Sequence, residues 1–538
     1  MSTGQLLSIL KTMGFDRKAP QSFTEYLTVE GALATRYGNV LCEVHIDRTF
    51  HDFPIVNLSD PLPACLLPIA PHIGPKGNLC YIASSAAVVD IYSPINQTLA
   101  ALERAAEVLD QIMAGERVDD LQEEFYAFLP DGALYTDIAN PETGRISMLR
   151  LDGGSGLVCT DNIARTQAKF SGLTREFSEF TGITKKITTR QPPRPLIDEW
   201  PPQTVGEMLQ WQSKLDDACR RKIQASIVKA YRAQAALMAL VIESPTSQYA
   251  IAVLDLQKCK RPKKTNQSIP IFEARVMLMQ VIRMDDRYLV QRNIPNRKTL
   301  AGLNINLVGC GTIGGYLADM LVKAGAGSGG GALRLIDFDT LQPGNIGRHR
   351  LGENHLAANK AEALVAELKI GMTSANVRAV PYDVRTVNLA GADLIIDATG
   401  EQALGHWIAG LVQKSSAAVP LIHVWIDGPG IAVRALTKTH ASEGCFRCLC
   451  DYERDGEFLS VAGGVSPVFA GEGCEGPYVP FPASVSVQAA ALGLDTVLAW
   501  VGQDAWPNLS TRVISRAHDP LDADVSILPR AGCPACSS

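Results

Sequence analysis

The chain has 538 residues, more than one ordinary core can hold, so we expect several domains. Hydrophobic residues make up 46%, charged residues 20%, and the formal net charge is −6, which is typical of a globular protein and argues against direct nucleic-acid binding through bulk positive charge. The N-terminus lacks a secretory signal pattern and no apolar run reaches membrane-spanning length, so we expect a cytoplasmic protein with no membrane contact.

The first region, residues 1 to about 120, predicts a small α+β domain. Strand-like runs such as NVLCEVHI precede a proline-rich segment, and a helix follows whose apolar residues recur at spacings of three and four from Leu99 to Met113. The proline-rich segment contains PHIGPKGNLC, which ends at Cys80. A cysteine in this setting is a buried apolar residue, a metal ligand or a nucleophile.

The middle of the chain carries weaker signals. Residues 121–203 predict a connecting region that ends in the extended, proline-rich linker RQPPRPLIDEWPPQ. Residues 204–290 combine a helical stretch, the strand-like run YAIAVLDL and the basic run KCKRPKKT, which we interpret as a solvated loop. This part is therefore expected to be a middle α/β domain or linker without chemistry of its own.

From residue 291 to 538, apolar runs that end in Gly or Asp alternate with helical segments. This alternation predicts a doubly wound, Rossmann-like parallel sheet that binds its ligand at the carboxyl ends of its strands. Gly309, Gly311 and Gly314 form G-x-G-x-x-G between a strand and a helix, which is typical of a loop that binds phosphate. Asp337 and Asp339 end the next strand and could hold a ribose, so that this loop fits NAD and ATP equally.

Residues downstream of the loop favour ATP. Asn345, Arg348 and Lys360 bring an amide and two cations after the ribose strand, where they would neutralise phosphate charge during attack on an α-phosphate. Asp397, at the end of DLIIDATG, is placed to bind Mg²⁺. The alternative is that these are surface helix charges and a strand-end turn; their order favours adenylation.

Taken in order, the glycine loop, DFD, N-x-x-R, the later lysine and DATG resemble the adenylation domain of ubiquitin-activating enzymes and of bacterial sulfur-carrier activators. The resemblance implies that Asp339 holds the ribose, that Asn345, Arg348 and Lys360 contact phosphates, and that Asp397 binds Mg²⁺. It also implies a homodimer, in which an arginine completes the nucleotide site. Arg292 and Arg297 are both candidates for that arginine.

Two C-x-x-C pairs lie in the last hundred residues, Cys445 with Cys448 and Cys533 with Cys536. Four thiolates delivered as two tight turns are what a closed, structural Zn²⁺ site needs, and the resembled family has the same arrangement. Cys450 is a spare or substitute ligand. The alternative is that these are separate free thiols, as expected for cysteines kept reduced.

One further cysteine, Cys474, lies between the two pairs in a loop rich in glycine and proline. Such a loop is expected to be exposed, as a nucleophile requires. Ubiquitin-activating enzymes carry their thioester cysteine in a comparable loop, and this resemblance implies the same role for Cys474. The alternative is an incidental loop thiol.

The surroundings of Cys80 resemble the ubiquitin-conjugating fold, in which a His-Pro-Asn turn precedes the catalytic cysteine and an aromatic-Ser-Pro triplet follows it. Here His72-Ile73-Gly74 replaces His-Pro-Asn, so the asparagine that stabilises the oxyanion is missing from its usual place, and Asn78 is a candidate substitute. The alternative is that Cys80 is a core thiol at the start of a strand.

A conjugating-like domain followed by an activating-like domain resembles bacterial fusion proteins associated with cGAS-like nucleotidyltransferases in antiphage systems. The resemblance implies adenylation of a protein C-terminus, a thioester on Cys474, transfer to Cys80 and conjugation to a lysine or another amine; the protein substrate would be the cGAS-like nucleotidyltransferase, and the middle region an inactive adenylation-like domain. Two alternatives remain: a sulfur-carrier activator, and a non-catalytic scaffold with decayed domains.

Overall fold

The structure is a computed structural model. It describes residues 3–19, 25–74, 76–83, 87–129, 132–139, 145–151, 156–172, 177–259, 270–414, 419–465, 478–521 and 524–536. The contacts divide the chain into two units. The first contains Met1–Asp161 and Arg175–Ile282, and the second Asn162–Thr174 and Arg283–Ser538.

The first unit begins with a four-stranded antiparallel sheet and two helices. Its elements are α1 (Thr3–Thr12), β1 (Asp16–Arg17), β2 (Tyr26–Thr35), β3 (Gly38–Asp47), β4 (Ile55–Leu58) and α2 (Pro94–Met113). The strands pair in chain order, and β3 alternates buried and more exposed residues from Val40 to Ile46, which gives the sheet one apolar face. Leu102 and Leu109 of α2 are buried in the core on this face, so the predicted amphipathic helix is confirmed.

A second, eight-stranded sheet fills the rest of the first unit, in the order β8-β6-β7-β5-β12-β11-β10-β9. The elements of this part of the chain are β5 (Ala133–Asp137), β6 (Ser147–Leu151), β7 (Leu157–Thr160), α3 (Ile163–Lys169), β8 (Phe177–Phe180), β9 (Ile183–Thr188), α4 (Val205–Leu215), α5 (Asp217–Arg232), β10 (Leu237–Glu243), β11 (Gln248–Leu254) and β12 (Val276–Arg283). Of these, α3 belongs to the second unit.

The stretch predicted as a connecting region supplies five strands of this sheet, β5 to β9. These strands are only four to six residues long, and β9 reads ITKKIT, with no apolar alternation that a sequence pattern could detect. Their buried residues pack against strands distant in the chain. β9, for example, pairs in parallel with β10, whose first six residues are apolar and buried. The predicted division at residue 204 therefore falls inside one sheet.

The second unit is a doubly wound α/β domain, as predicted. Its remaining elements are α6 (Asp286–Gln291), β13 (Asn304–Val308), α7 (Thr312–Lys323), β14 (Ala332–Ile336), α8 (Lys360–Gly371), β15 (Val377–Val380), β16 (Leu394–Asp397), α9 (Gln402–Lys414), β17 (Leu421–Asp427), β18 (Ala432–Lys438), α10 (Phe446–Arg454), α11 (Ala483–Gly502), β19 (Leu509–Val513) and β20 (Asp524–Val525). The sheet order is β15-β14-β13-β16-β17-β18-β19-β20. The first five strands are parallel and the last three antiparallel, so the carboxyl ends of β13, β14 and β16 meet at one edge.

Helix α11 is the most apolar helix of this unit. In the described part of the chain it alone is long and apolar enough to cross a membrane, and half of its apolar window is buried. It packs against α7 and strands β17 and β18, and Ala489 and Val497 are fully buried there. Its apolar composition is therefore explained by its place in the core.

Candidate nucleotide pocket and cysteine sites

A cavity of about 720 Å³ opens at the carboxyl edge of the parallel strands in the second unit. The predicted residues that line it are Gly309, Gly311, Asp337, Asp339 and Lys360. They come from the loop after β13, the end of β14 and the start of α8. Because ligands of doubly wound sheets bind at this edge, the cavity has the position and size of a nucleotide site.

The glycine loop is shaped by two close approaches. Gly309 has φ +88°, and a Cβ there would lie 2.9 Å from the backbone nitrogen of Thr399. A Cβ on Gly314 would lie 1.9 Å from the carbonyl oxygen of Gly309, so α7 packs directly on the loop. A Cβ on Gly311 would meet no atom within 4 Å and Gly311 lines the cavity, which leaves its backbone open to a phosphate at the N-terminus of α7.

Two side chains, Asp337 and the buried His349, hold this loop. Asp337 Oδ2 accepts a hydrogen bond from the Cys310 backbone at 2.7 Å, and its Oδ1 accepts one from the Asp339 backbone at 2.8 Å. His349 Nε2 lies 2.9 Å from the Cys310 carbonyl oxygen, while the Leu351 backbone donates to its Nδ1 at 3.0 Å. Nε2 is therefore the donor. Burial lowers the pKa of His349, which keeps this tautomer neutral.

Lys360 and Asp339 form the charged pair of the pocket. The ammonium of Lys360 contacts Asp339 Oδ2, and the lysine side chain is 9% exposed, whereas that of Asp339 is 52% exposed. The cation is thus fixed inside the cavity, and the carboxylate faces its mouth. This is the arrangement that a phosphate and a ribose hydroxyl would need from these two residues.

Two of the predicted phosphate ligands have other partners. The Asn345 side chain accepts from the Gln342 backbone at 3.0 Å and caps a short turn. Arg348 donates to the Val479 carbonyl oxygen at 2.9 Å, and its guanidinium lies 4.4 Å from the Phe481 ring centroid. Neither lines the cavity among the described residues, although Val479 and Phe481 do.

Asp397 also lies outside the large cavity. Its Oδ1 accepts from the Thr399 backbone at 3.1 Å and the Thr399 hydroxyl at 2.7 Å, and its Oδ2 lies 2.8 Å from His423 Nδ1. Burial opposes ionisation of Asp397, but the interactions with His423 and Thr399 outweigh it and lower the pKa. The carboxylate lines a neighbouring cavity of about 200 Å³, and Glu401 borders both cavities. Both carboxylate oxygens of Asp397 are thus hydrogen-bonded within the chain.

The pocket has a second wall that the sequence reasoning missed. Tyr382, Asp383 and Arg385 line the cavity on the turn after β15, and Asp383 pairs with Arg385. These residues follow β15, another parallel strand whose carboxyl end lies at the same edge of the sheet. The sequence did not predict this strand, because VRAV is only four residues long and is interrupted by an arginine.

The four predicted zinc ligands converge. The Sγ atom of Cys445 lies 3.8 Å from the Sγ atom of Cys448 and 3.8 Å from that of Cys533. The Sγ atom of Cys448 lies 3.6 Å from that of Cys536. A tetrahedral site with Zn–S bonds of about 2.3 Å has sulfur–sulfur edges of about 3.8 Å. Burial raises the pKa of the Cys445 thiol, so its thiolate needs a cation beside it. The cluster therefore fits a metal such as zinc.

Cys450 is not part of this cluster. It is buried, and the side-chain amide of Gln402 donates to its sulfur at 3.1 Å. Among the described residues, Cys450 lines the smaller cavity beside Asp397. The expectation that it is a spare zinc ligand is wrong, because its sulfur faces the opposite side of α10.

Three further residues were predicted to act in the second unit: Cys474, Arg292 and Arg297. Cys474 lies outside the described residues, so its role as thioester cysteine stays a prediction. Arg292 donates to the Tyr288 hydroxyl at 2.9 Å, and Arg297 lies 3.7 Å from Asp504. Neither arginine lines the described cavity of its own chain.

In the first unit, a tight turn presents Cys80. Gly77 has φ +74°, and a Cβ there would lie 2.5 Å from the Leu58 carbonyl oxygen, so the turn requires glycine. The Cys80 backbone donates to the His72 carbonyl oxygen at 2.7 Å, and the Cys80 side chain is exposed. It is therefore not a core thiol. Asn78 donates to the Asn57 side chain at 3.2 Å.

Charged groups surround this thiol. His72 Nε2 lies 2.9 Å from Asp120 and Nδ1 lies 2.6 Å from Glu124. The hydrogen bond to Glu124 raises the pKa of His72 most, against the effect of burial, and Asp120 adds to it. The Cys80 sulfur lies within 4.8 Å of the His72 and Glu124 ligand atoms. Burial, and then the charge of Glu124, raise the pKa of Cys80.

Comparison with known families agrees with both halves of this description. The ThiF family matches residues 278–508, and Prokaryotic E2 family B matches residues 7–131. Together with the cavity and the exposed thiol, these matches define the class: an ATP-dependent activating and conjugating enzyme, in which a ThiF-type adenylation domain is joined to an E2-like domain.

The full-length relatives name the family. The chain is 48% identical over 501 residues to the ATP-dependent ubiquitin transferase-like protein Cap2 of Pseudomonas aeruginosa, covering 92% of each chain. It is 25% identical to the Cap2 protein of Escherichia coli over the whole of both. The chain therefore belongs to the Cap2 family of ATP-dependent ubiquitin transferase-like proteins.

Among solved structures, the chain is similar to E. coli MccB with ATP. The identity is 18% and the TM-score 0.34, over 46% of this chain and 68% of MccB. MccB has also been solved with N-formylated MccA, at the same identity and TM-score. Similarity at this level carries no conclusion about the site.

Gly314→Ala should destabilise the second unit, because the new Cβ would meet the Gly309 carbonyl at 1.9 Å. We expect a loss of about 1–3 kcal/mol, measured by thermal or denaturant unfolding. Gly311→Ala is the matched control, since its Cβ meets no atom within 4 Å. It should keep the unfolding midpoint and weaken ATP binding. Equal stability of the two variants would contradict the close approach.

Glu124→Gln should make Cys80 more reactive, because it removes the charge that raises the thiol's pKa while it keeps a hydrogen-bond acceptor for His72. We expect the rate of Cys80 alkylation by iodoacetamide at neutral pH to rise about two- to fivefold, measured by peptide mass spectrometry. Asp119→Asn is the control, since that side chain is 95% exposed. An unchanged rate in Glu124→Gln would show that Glu124 does not govern the thiol.

Proposed function

We propose that the chain uses ATP to adenylate the C-terminal carboxylate of a protein, takes the acyl group as a thioester on Cys474, passes it to Cys80 and delivers it to a lysine or another amine. The substrate is proposed to be a cGAS-like nucleotidyltransferase in an antiphage system, as the resemblance to bacterial fusion proteins implies. The observation that carries this proposal is a nucleotide cavity with an inward lysine and an exposed E2-like cysteine in one chain.

The adenylation step would use the residues that line the cavity. Backbone N–H groups around Gly311, at the N-terminus of α7, would bind phosphate oxygens, and Asp339 would accept a ribose hydroxyl. Lys360 would neutralise charge on the α-phosphate as the carboxylate oxygen attacks it. A phosphorus–oxygen bond to pyrophosphate breaks, and an acyl adenylate forms.

The transfer steps would exchange one acyl bond for another. The Cys474 thiol attacks the acyl carbon, and AMP leaves with its electron pair. The Cys80 thiol then attacks the Cys474 thioester, and the Cys474 thiol is regenerated. Finally, an amine attacks the Cys80 thioester, loses its proton and forms an amide. Asp120 and Glu124 place negative charge beside Cys80, which favours the approach of a cationic lysine.

Magnesium would bind phosphate oxygens and a carboxylate from the turn at residues 397–401. The sequence prediction assigns it to Asp397, whose oxygens are bonded to His423 and Thr399. Glu401 on the same turn borders the nucleotide cavity. When bound, the ion would supply charge neutralisation at the triphosphate.

We extend the proposal to a cytoplasmic homodimer that pairs through its adenylation domains. Arg292 and Arg297 precede β13, and neither is among the described residues that line the cavity of its own chain. In the dimer, one of them would reach the nucleotide of the partner copy, as the family resemblance implies.

The four-cysteine cluster is proposed to hold structural Zn²⁺, with no part in the reaction. Cys533→Ser should lose the metal and unfold at a lower temperature, because three thiolates and a hydroxyl bind zinc poorly. Elemental analysis would test this, with one zinc per chain expected in the wild type. Cys450→Ser is the matched control and should keep its zinc; loss of zinc in that variant would contradict the assigned ligands.

The relay is tested by incubating the wild type, Cys474→Ala and Cys80→Ala with ATP, Mg²⁺ and a cGAS-like nucleotidyltransferase from the same source. Non-reducing gels should show a thiol-sensitive adduct that Cys474→Ala abolishes and that Cys80→Ala confines to Cys474. An adduct formed normally by Cys474→Ala would contradict the relay. A persulfide on Cys474 without a protein adduct would favour sulfur-carrier activation.

The magnesium ligand is tested by comparing Glu401→Gln with Asp397→Asn. If Asp397 binds Mg²⁺, its substitution should raise the Mg²⁺ concentration for half-maximal ATP binding, while Glu401→Gln leaves it unchanged. Ligand substitutions commonly change such constants by about tenfold or more. A raised Mg²⁺ requirement in Glu401→Gln, with no change in Asp397→Asn, would identify Glu401 as the ligand and contradict the sequence prediction. Calorimetric ATP titrations at several Mg²⁺ concentrations would measure both.

A further inference from the structure

The two clusters of the second unit, the nucleotide cavity and the four cysteines, are joined by stacked and hydrogen-bonded side chains. Cys445 and Cys448 lie in one tight turn, and Phe446 lies between them as the first residue of α10. The Phe446 ring stacks on His423, with 4.6 Å between ring centroids and 20° between their planes. The turn that holds two of the cysteines therefore also places an aromatic ring against His423.

His423 connects this ring to Asp397. The two residues are direct neighbours in the parallel pairing of β16 and β17, and His423 Nδ1 lies 2.8 Å from Asp397 Oδ2. Because the carboxylate accepts, Nδ1 carries the proton. Both side chains are buried, at 3% and 6% exposure. In the described structure, His423 Nε2 has no hydrogen-bond partner, so the bond from Nδ1 to Asp397 and the stack on Phe446 orient the ring.

Asp397 passes the constraint to the wall of the nucleotide cavity. Its Oδ1 holds both the backbone and the hydroxyl of Thr399, which lines the cavity. The backbone of Thr399 in turn closes on Gly309 of the phosphate loop. In the described residues, successive contacts thus connect the Cys445–Cys448 turn to the phosphate loop.

Helix α9 is shaped to leave room for this path. A Cβ on Gly405 would lie 2.9 Å from the Phe446 ring and 3.2 Å from Asp397 Oδ2. Glycine is therefore required where the helix crosses the ring and the carboxylate. Without these two neighbours, leucine or alanine would be expected at this position, because both have a higher helix propensity than glycine.

We infer that His423 and Phe446 are positioning residues, through which the turn of Cys445 and Cys448 fixes Asp397 and the Thr399 wall of the nucleotide cavity. This inference rests on the proposed function, because it takes ATP as the occupant of the cavity. The cysteine cluster is then a support of the nucleotide site as well as of the fold.

The test compares variants of His423 and Phe446 that remove the ring contact with conservative variants that keep it. His423→Leu and Phe446→Leu should bind ATP with Mg²⁺ about tenfold more weakly than the wild type, as is usual when a supporting residue is lost. His423→Asn, whose amide can donate at the position of Nδ1, and Phe446→Tyr, which keeps the ring, should bind within about twofold of the wild type. His518→Leu is the matched control, since His518 contacts Ser515, away from this path.

Calorimetric ATP titrations are run well below each variant's melting temperature, and zinc content is measured on the same samples. The inference predicts that both leucine variants keep their zinc and lose ATP affinity, whereas Cys533→Ser loses both. Wild-type ATP affinity in His423→Leu and Phe446→Leu would overturn it, as would equal loss in His423→Leu and His423→Asn. A wild type that binds no ATP would overturn the proposed function together with the inference.

Discussion

The contact between α7 and the glycine loop is the constraint on which the second unit depends. Gly314 brings the helix against the Gly309 carbonyl, which points the free N–H groups of the helix N-terminus into the cavity. The same loop is held by Asp337 and His349 on one side and by the Thr399 turn on the other. A shift of α7 would therefore change the phosphate site, the ribose carboxylate and the Asp397 turn together.

The charge distribution in the cavity follows from burial. Lys360 is nearly enclosed and paired with a half-exposed Asp339, so its cation is available to a phosphate that enters from the mouth. A ligand that brought no negative charge would leave this lysine with a single carboxylate partner. At Cys80 the balance is different, because burial, and then the negative charge of Glu124, raise the pKa of the thiol. Such surroundings stabilise an acylated sulfur, which carries no charge, better than a free thiolate.

The sequence predicted the parts of the site that depend on backbone geometry. The glycine loop, the two aspartates after β14 and the C-x-x-C pairs are local patterns whose spacing determines where they lie. Lys360 was also predicted, from its place after the ribose strand in the order of motifs. By contrast, the partners of Asp397 depend on the register of β16 with β17, which no local pattern carries. Cys450 was misassigned because its position on α10, only two residues from Cys448, decides which side it faces. The strands β5 to β9 were missed because they are short and their apolar residues join a core formed with β10, β11 and β12, which are distant in the chain.

ATP–pyrophosphate exchange tests the central claim, attack of a protein carboxylate on the α-phosphate, most directly. The wild type is supplied with Mg²⁺, ATP, labelled pyrophosphate and a cGAS-like nucleotidyltransferase from the same source, either intact or with its C-terminal residue removed. The account predicts exchange with the intact protein, and none with the truncated one or with Lys360→Ala. Exchange that ignores the C-terminus, or release of ADP and phosphate in its place, would contradict it.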